Sequence, residues 1–179
     1  MTIVTALDTE TTGLSAEKGH SIIEIALISF DLEKGEEVNR FTTMINPLRP
    51  IDEKASAVHG IYASDLKDYE TFKHYEPQIT EILESSDYFV IHNAEFDLGF
   101  LISEYSKIKK ELIDRPVVDT MIQGRFASFW GKVPTLSELC FAARVEFDES
   151  KAHGAIYDTE KLMEVFLKCY PRHFTLDIK

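Results

Sequence analysis

Residues 3–14 read IVTALDTETTGL, an apolar run that ends in two carboxylates two positions apart. Ile3 to Asp8 have the β-branched, apolar make-up of a short buried strand. Side chains two apart on a strand share a face, so Asp8 and Glu10 are expected to project together near its carboxyl end. A D-x-E pair is common, and alone it reads equally well as a strand end meeting solvent. The apolar run before it and Thr11-Thr12-Gly13 after it favour a pair held at the edge of a core. A carboxylate left there without a partner costs several kcal/mol.

Downstream, SIIEIALISF (21–30) reads as a second strand, and Asp31 to Glu37, with Gly35, as a hairpin turn. The turn leads into VNRFTTMINP (38–47), a third strand closed by Pro47 and Pro50. Helical and extended patterns then alternate. Asp52 offers an N-cap for a short helix ending at His59 and Gly60, and apolar positions 79, 82 and 83 mark a helix over 76–84. YFVIHN (88–93) is a compact strand. EFDLGFLISEYSKIKK (95–110) places Phe96, Phe100, Leu101, Tyr105 and Ile108 on one helical face, with Asp97 in the first turn and Lys107 to Lys110 as a solvated end. RPVVDT (115–120) is a further strand whose Asp119 is placed to cap the next helix; Thr135 caps a helix through TLSELCFAARV, and a last long helix covers 155–170. This order predicts an α/β fold, a mixed five-stranded sheet with helices on both faces.

The chain has 179 residues, 44% hydrophobic and 28% charged, which excludes a disordered or collagen-like class and suits one domain. The expected division is a domain over 1–170 and a short C-terminal tail over 171–179. A formal net charge of −12 opposes gripping nucleic acid through a global field, so any phosphate must be held locally. Cys140 and Cys169 lack metal-ligand or redox spacing and read as buried free thiols. The start MTIVTALDTE has no basic, signal-like run and no stretch has membrane-spanning length, so a cytoplasmic protein without membrane contact is expected.

AHGAIYDTEKL (152–162) supplies the remaining chemistry. Asp158 lies on a helix among Ile156, Leu162 and Val165, and so is expected to face the sheet. With Asp8, Glu10 and Asp97 it forms a hard oxygen set suited to Mg²⁺ or Mn²⁺ rather than zinc. Two such ions about 3.5–4 Å apart are the usual clamp for in-line attack on a phosphodiester. His153, five residues before Asp158 and beside Gly154, can present an imidazole as general base; standing alone it would read as a surface histidine. The pattern predicts a metal-dependent nuclease.

The three segments together resemble, in order and separation, the three exonuclease motifs of the DnaQ-like superfamily. A His five positions before the last Asp, with Gly154 at four, resembles the DEDDh branch rather than the tyrosine branch, and Tyr157 reads as a packing residue. The resemblance covers roughly residues 3–168. DTETTG, VHGI, IHNAEFD and HGAIYD are most similar in texture to proofreading subunits of bacterial replicative polymerases.

The resemblance implies a ribonuclease H-like fold and hydrolysis of single-stranded or frayed DNA from the 3′ end to nucleoside 5′-monophosphates. It implies that Asp8, Glu10 and Asp158 hold the tighter of two divalent cations, that Asp8 with Asp97 serves the looser, and that His153 deprotonates the attacking water. It implies a seat for the terminal nucleotide formed by the backbone at Thr11 and Thr12, by Leu14 and Phe96 against the base, and by His59 and Asn93. Lys54 stands where such chains often carry a substrate-contacting Glu, and Asp119 reads as a cap outside the metal set. The partners implied are a single-stranded DNA or RNA 3′ end and a DNA polymerase. With about ten residues after the last helix, a long flexible tether is not expected. Two other readings share these residues: a 3′→5′ exoribonuclease, separated only by acceptance of a 2′-hydroxyl, and a non-catalytic polymerase-binding module.

Overall fold

The computed structural model describes residues 1–176. β1 (Ile3–Thr11), β2 (Ile22–Asp31) and β3 (Glu36–Met44) form the antiparallel opening, with Asp31 Oδ1 accepting the Glu33 and Lys34 amides in the turn. α1 (Glu53–His59), α2 (Ala63–Leu66) and α3 (Phe72–Glu84) lead to β4 (Tyr88–Ile91) and α4 (Ala94–Lys107). β5 (Val117–Asp119) and α5 (Thr120–Gln123) come next, then α6 (Leu136–Ala143) and α7 (Ala155–Cys169). The sheet is five-stranded in the order β3-β2-β1-β4-β5, antiparallel on the β2–β3 side of β1 and parallel from β1 to β5. The expected mixed sheet is present.

Alternation along the strands builds one core on each face. Leu7, Ile25 and Leu27 pack with Ile79, Leu83, Phe100 and Leu101 of α3 and α4. Val4, Ala6 and Val90 turn the other way, onto Leu139 of α6 and Leu162 and Phe166 of α7. Helices therefore cover both faces, and the two cysteines are buried free thiols in the second core.

Several expectations are corrected by tertiary contacts. The helix read over 76–84 begins at Phe72, because the buried Phe72 ring packs edge-on to Tyr105 at 5.5 Å. The β1 strand continues past residue 8 to Thr11, carried by its pairing with β2. Asp52 stands at the N-cap of α1 but makes no side-chain cap bond. Lys107 and Lys110 are not simply solvated: they pair with the buried carboxylates of Glu104 and Glu76. Thr135 does cap α6 as expected, in a reciprocal box with Glu138. Phe174, within the stretch read as a tail, is fully buried near Phe166, while residues 177–179 of that stretch lie outside the described residues.

Candidate active site

The carboxyl ends of the parallel strands β1, β4 and β5 open onto one cleft, the usual ligand position in an α/β sheet. Asp8 and Glu10 project from β1 toward α7, with Glu10 opposite Glu24 of β2 and a register irregularity immediately after it. α4 starts straight after β4, so Asp97 reaches the end of β1 from the opposite face, where its Oδ1 accepts the Thr9 hydroxyl at 2.7 Å. Asp119 does act as a cap: Oδ1 accepts Met121 and Ile122 amides, and Oδ2 accepts the Ala94 amide that opens α4.

α7 brings the third segment. Glu24 Oε2 accepts the Ala155 amide at 3.0 Å, docking the helix N-terminus on the sheet, and Asp158 Oδ2 accepts the His153 amide at 3.0 Å. That bond belongs to a loop in which His153 takes the left-handed conformation (φ 63°), which leaves its imidazole exposed. Among the described residues, one group of side chains brings three ligand atoms within 4.8 Å of one another: Glu10, His153 and Asp158. Asp8 and Asp97 lie outside this group, and the Asp97 charge raises the Asp8 carboxyl.

The electrostatics are those of acids waiting for a cation. Burial, then the charges of Asp97, Glu10 and Asp158, hold the Asp8 carboxyl well above its ordinary range. Burial and then Asp158 push Glu10 up to about 9. Asp97, Asp158 and Glu24 are also raised, each chiefly by burial. Asp158 Oδ1 is buried with no hydrogen-bond partner among the described residues. An orphaned carboxylate oxygen beside other acids fits a divalent cation with oxygen preference.

A cavity lies between the segment after β1 and α4, the helix that carries Asp97. Its volume is about 790 Å³, and Leu14, Asn93, Phe96 and Phe100 line it. Leu14 is 88% exposed, an apolar side chain left in solvent at the cavity mouth. Asn93, left-handed at φ 77°, turns the chain from β4 into α4. His59 ends α1 with its Nδ1 accepting the Ile61 amide, while its buried Nε2 lies near the Thr11 carbonyl without a well-formed bond. Burial first, and nearby His153 after it, lower the His59 pKa. The Thr12 amide and carbonyl are already engaged, to Ser21 and Asp52.

Glu24 and Thr9 are site-supporting residues that the sequence reading does not single out. Glu24 left a signal, since it is a lone acid inside the apolar run IIEIALI. Thr9 left none, because its partner Asp97 is set by tertiary structure.

Residues 5–166 match the family model described as exonuclease. The chain is 36% identical over 171 residues to DNA polymerase III subunit epsilon of Escherichia coli strain K12, covering 90% of this chain and 68% of that one. Among solved structures it is similar to the nuclease domain of 3′hExo, a DEDDh family member bound to rAMP, with a TM-score of 0.77 and 14% identity over 99% of this chain and 96% of that one. It is also similar to exonuclease X in complex with 5′ overhanging duplex DNA, with a TM-score of 0.64 and 23% identity over 92% and 90% of the two chains. These likenesses carry the ribonuclease H-like fold.

Proposed function

We propose, because this chain belongs to the DnaQ-like exonuclease family, DEDDh type, an assignment of its 3′→5′ exonuclease activity to named residues. The enzyme depends on divalent metal and removes nucleotides from single-stranded or frayed DNA ends as 5′-monophosphates. The observation that carries the assignment is the meeting of Glu10, His153 and Asp158, from β1 and the start of α7, beside Asp8 and Asp97.

Asp8, Glu10 and Asp158 would hold the tighter of two cations, and Asp8 with Asp97 the looser. Mg²⁺ or Mn²⁺ suits this all-oxygen set. When bound, the ions supply charge that neutralises the acids and the attacked phosphate. His153, exposed at the rim, takes the proton of the attacking water. Leu14 and Phe96 hold the terminal base in the adjoining cavity, with His59, Asn93 and the Thr11 backbone around the sugar and phosphate, while the Thr12 backbone, engaged by Ser21 and Asp52, only shapes the turn. Thr9 fixes the Asp97 carboxylate, and Glu24 fixes the helix that carries Asp158.

The likeness to polymerase subunits supports a proofreading role in the cytoplasm, with a DNA polymerase as partner. No helix among the described residues is long and apolar enough to cross a membrane. Incubation of the purified chain with 5′-labelled and 3′-labelled single strands, with and without Mn²⁺, tests the reading. Metal-dependent release of 5′-mononucleotides from the 3′ end is expected; internal cuts, or release without metal, would overturn it. Matched DNA and RNA strands in the same assay separate deoxyribonuclease from ribonuclease.

A further inference from the structure

The turn that succeeds β1 is held from beneath by a side chain outside the acid cluster. Thr12 spends every polar group it has. Its amide donates to the Ser21 carbonyl at 2.9 Å, and its carbonyl accepts the Asp52 amide at 3.0 Å. Its hydroxyl accepts the Ser21 amide at 3.0 Å and stands 3.0 Å from His20 Nδ1. The hydroxyl has one proton and two lone pairs, so with the Ser21 amide as one donor it still pairs with Nδ1, whichever of the two atoms supplies the proton. The other ring nitrogen, Nε2, faces Asp52 Oδ2 at 3.6 Å, too far for a hydrogen bond.

The His20 ring also lies directly against Gly13. A Cβ built on Gly13 would fall 2.5 Å from His20 Nδ1, closer than real contacts allow. Gly13 is not among the glycines with positive φ, so its missing side chain makes room for the ring rather than freeing the backbone. The imidazole thus occupies the space between the turn that presents Leu14 and the start of α1, the helix that ends in His59.

We propose that His20 is a positioning residue for the terminal nucleotide, fixing the Thr11–Leu14 turn relative to α1 through Thr12 and by contact with Gly13. The proposal rests on the exonuclease reading of the neighbouring cleft. His20 touches no reacting atom in it. Its loss loosens the seat for the base and leaves the acids and His153 in place, so binding suffers and the chemical step does not.

Steady-state kinetics on a single-stranded oligonucleotide with Mn²⁺ test this, run on His20→Ala, Gly13→Ala, the double variant and His20→Asn, with thermal melting alongside. His20→Ala is expected to raise KM about 5- to 10-fold, the scale of one lost hydrogen bond, with kcat within about twofold. Gly13→Ala is expected to raise KM in the parent chain and to add nothing to His20→Ala, because its methyl group then enters space the ring has left. His20→Asn places an amide near the former Nδ1 and is expected to recover most of the loss. An unchanged KM in His20→Ala, a fall in kcat alone, or equal damage by Gly13→Ala in both backgrounds would overturn the proposal. If His20→Ala does not fold, Gly13→Ala in the parent chain decides, and an unchanged KM there overturns it. An unsubstituted chain without turnover refutes the nuclease reading itself, whereas an active parent with these variants unaltered refutes only the role of His20.

Discussion

Glu10 sits among Asp158, Glu24 and Asp97, and burial with their charge pushes its carboxyl up to about 9 from an ordinary 4.5. Below pH 4.5 it is neutral in the folded and the unfolded chain alike and has no effect on the balance. Between about 4.5 and 9 the unfolded chain is ionised while the folded one retains the proton, so metal-free stability falls as pH rises through this window. Melting curves in chelator from about pH 5 to pH 9 should show that fall, and Glu10→Gln should flatten it; a melting temperature that climbs with pH would contradict the charge assignment. Asp158→Ala should abolish turnover while the metal-free protein melts no lower than the parent, since a repelled, buried acid has been removed. An active Asp158→Ala variant removes Asp158 from the ligand set. For His153→Ala, kcat should drop by about 10²- to 10⁴-fold, the range for a positioned general base. A loss of less than threefold would assign proton removal elsewhere.

Between elements, the Glu24 carboxylate on the Ala155 amide adds a polar anchor at the start of α7 to the apolar packing of Leu162 and Phe166, close to Asp158 and the His153 loop. Glu24→Ala removes an acceptor at the helix start and should destabilise by about 1 kcal/mol while lowering kcat. Thr135→Ala removes a comparable cap on α6, far from the acids in sequence, and should cost similar stability with kcat unchanged. Equal kinetic effects of the two would show that Glu24 acts only through stability. The three elements that carry the acids were legible because each joins a carboxylate to an apolar run of clear period: IVTALD, the Phe96–Tyr105 face and the Leu162–Val165 face. Contacts that cross from one element to another stayed hidden. The Glu24–Ala155 bond links positions 131 apart in sequence and Thr9–Asp97 links positions 88 apart, and no local spacing encodes either. The extra turn of α3 has the same origin, since Phe72 is helical because Tyr105 covers it.

Across the fold as a unit, the antiparallel β1–β2–β3 side positions Glu10 against Glu24, and the parallel β1–β4–β5 side gathers Asp8, Asp97 and Asp119 at one edge. That mixed order was readable from strands that come first and then alternate with helices; the depth at which the acids sit was not, because burial depends on α4 and α7 closing over both faces. With a net charge of −12, a polyanion has to be held locally, and in the proposed site that falls to cations on the acids and apolar contact at Leu14 and Phe96. Whether distant acids form one cation pocket is decided by anomalous diffraction from crystals soaked with Mn²⁺ and a nucleoside 5′-monophosphate. Manganese density is expected against Asp8, Glu10 and Asp158; manganese bound elsewhere, with those three carboxylates unligated, would contradict the assignment.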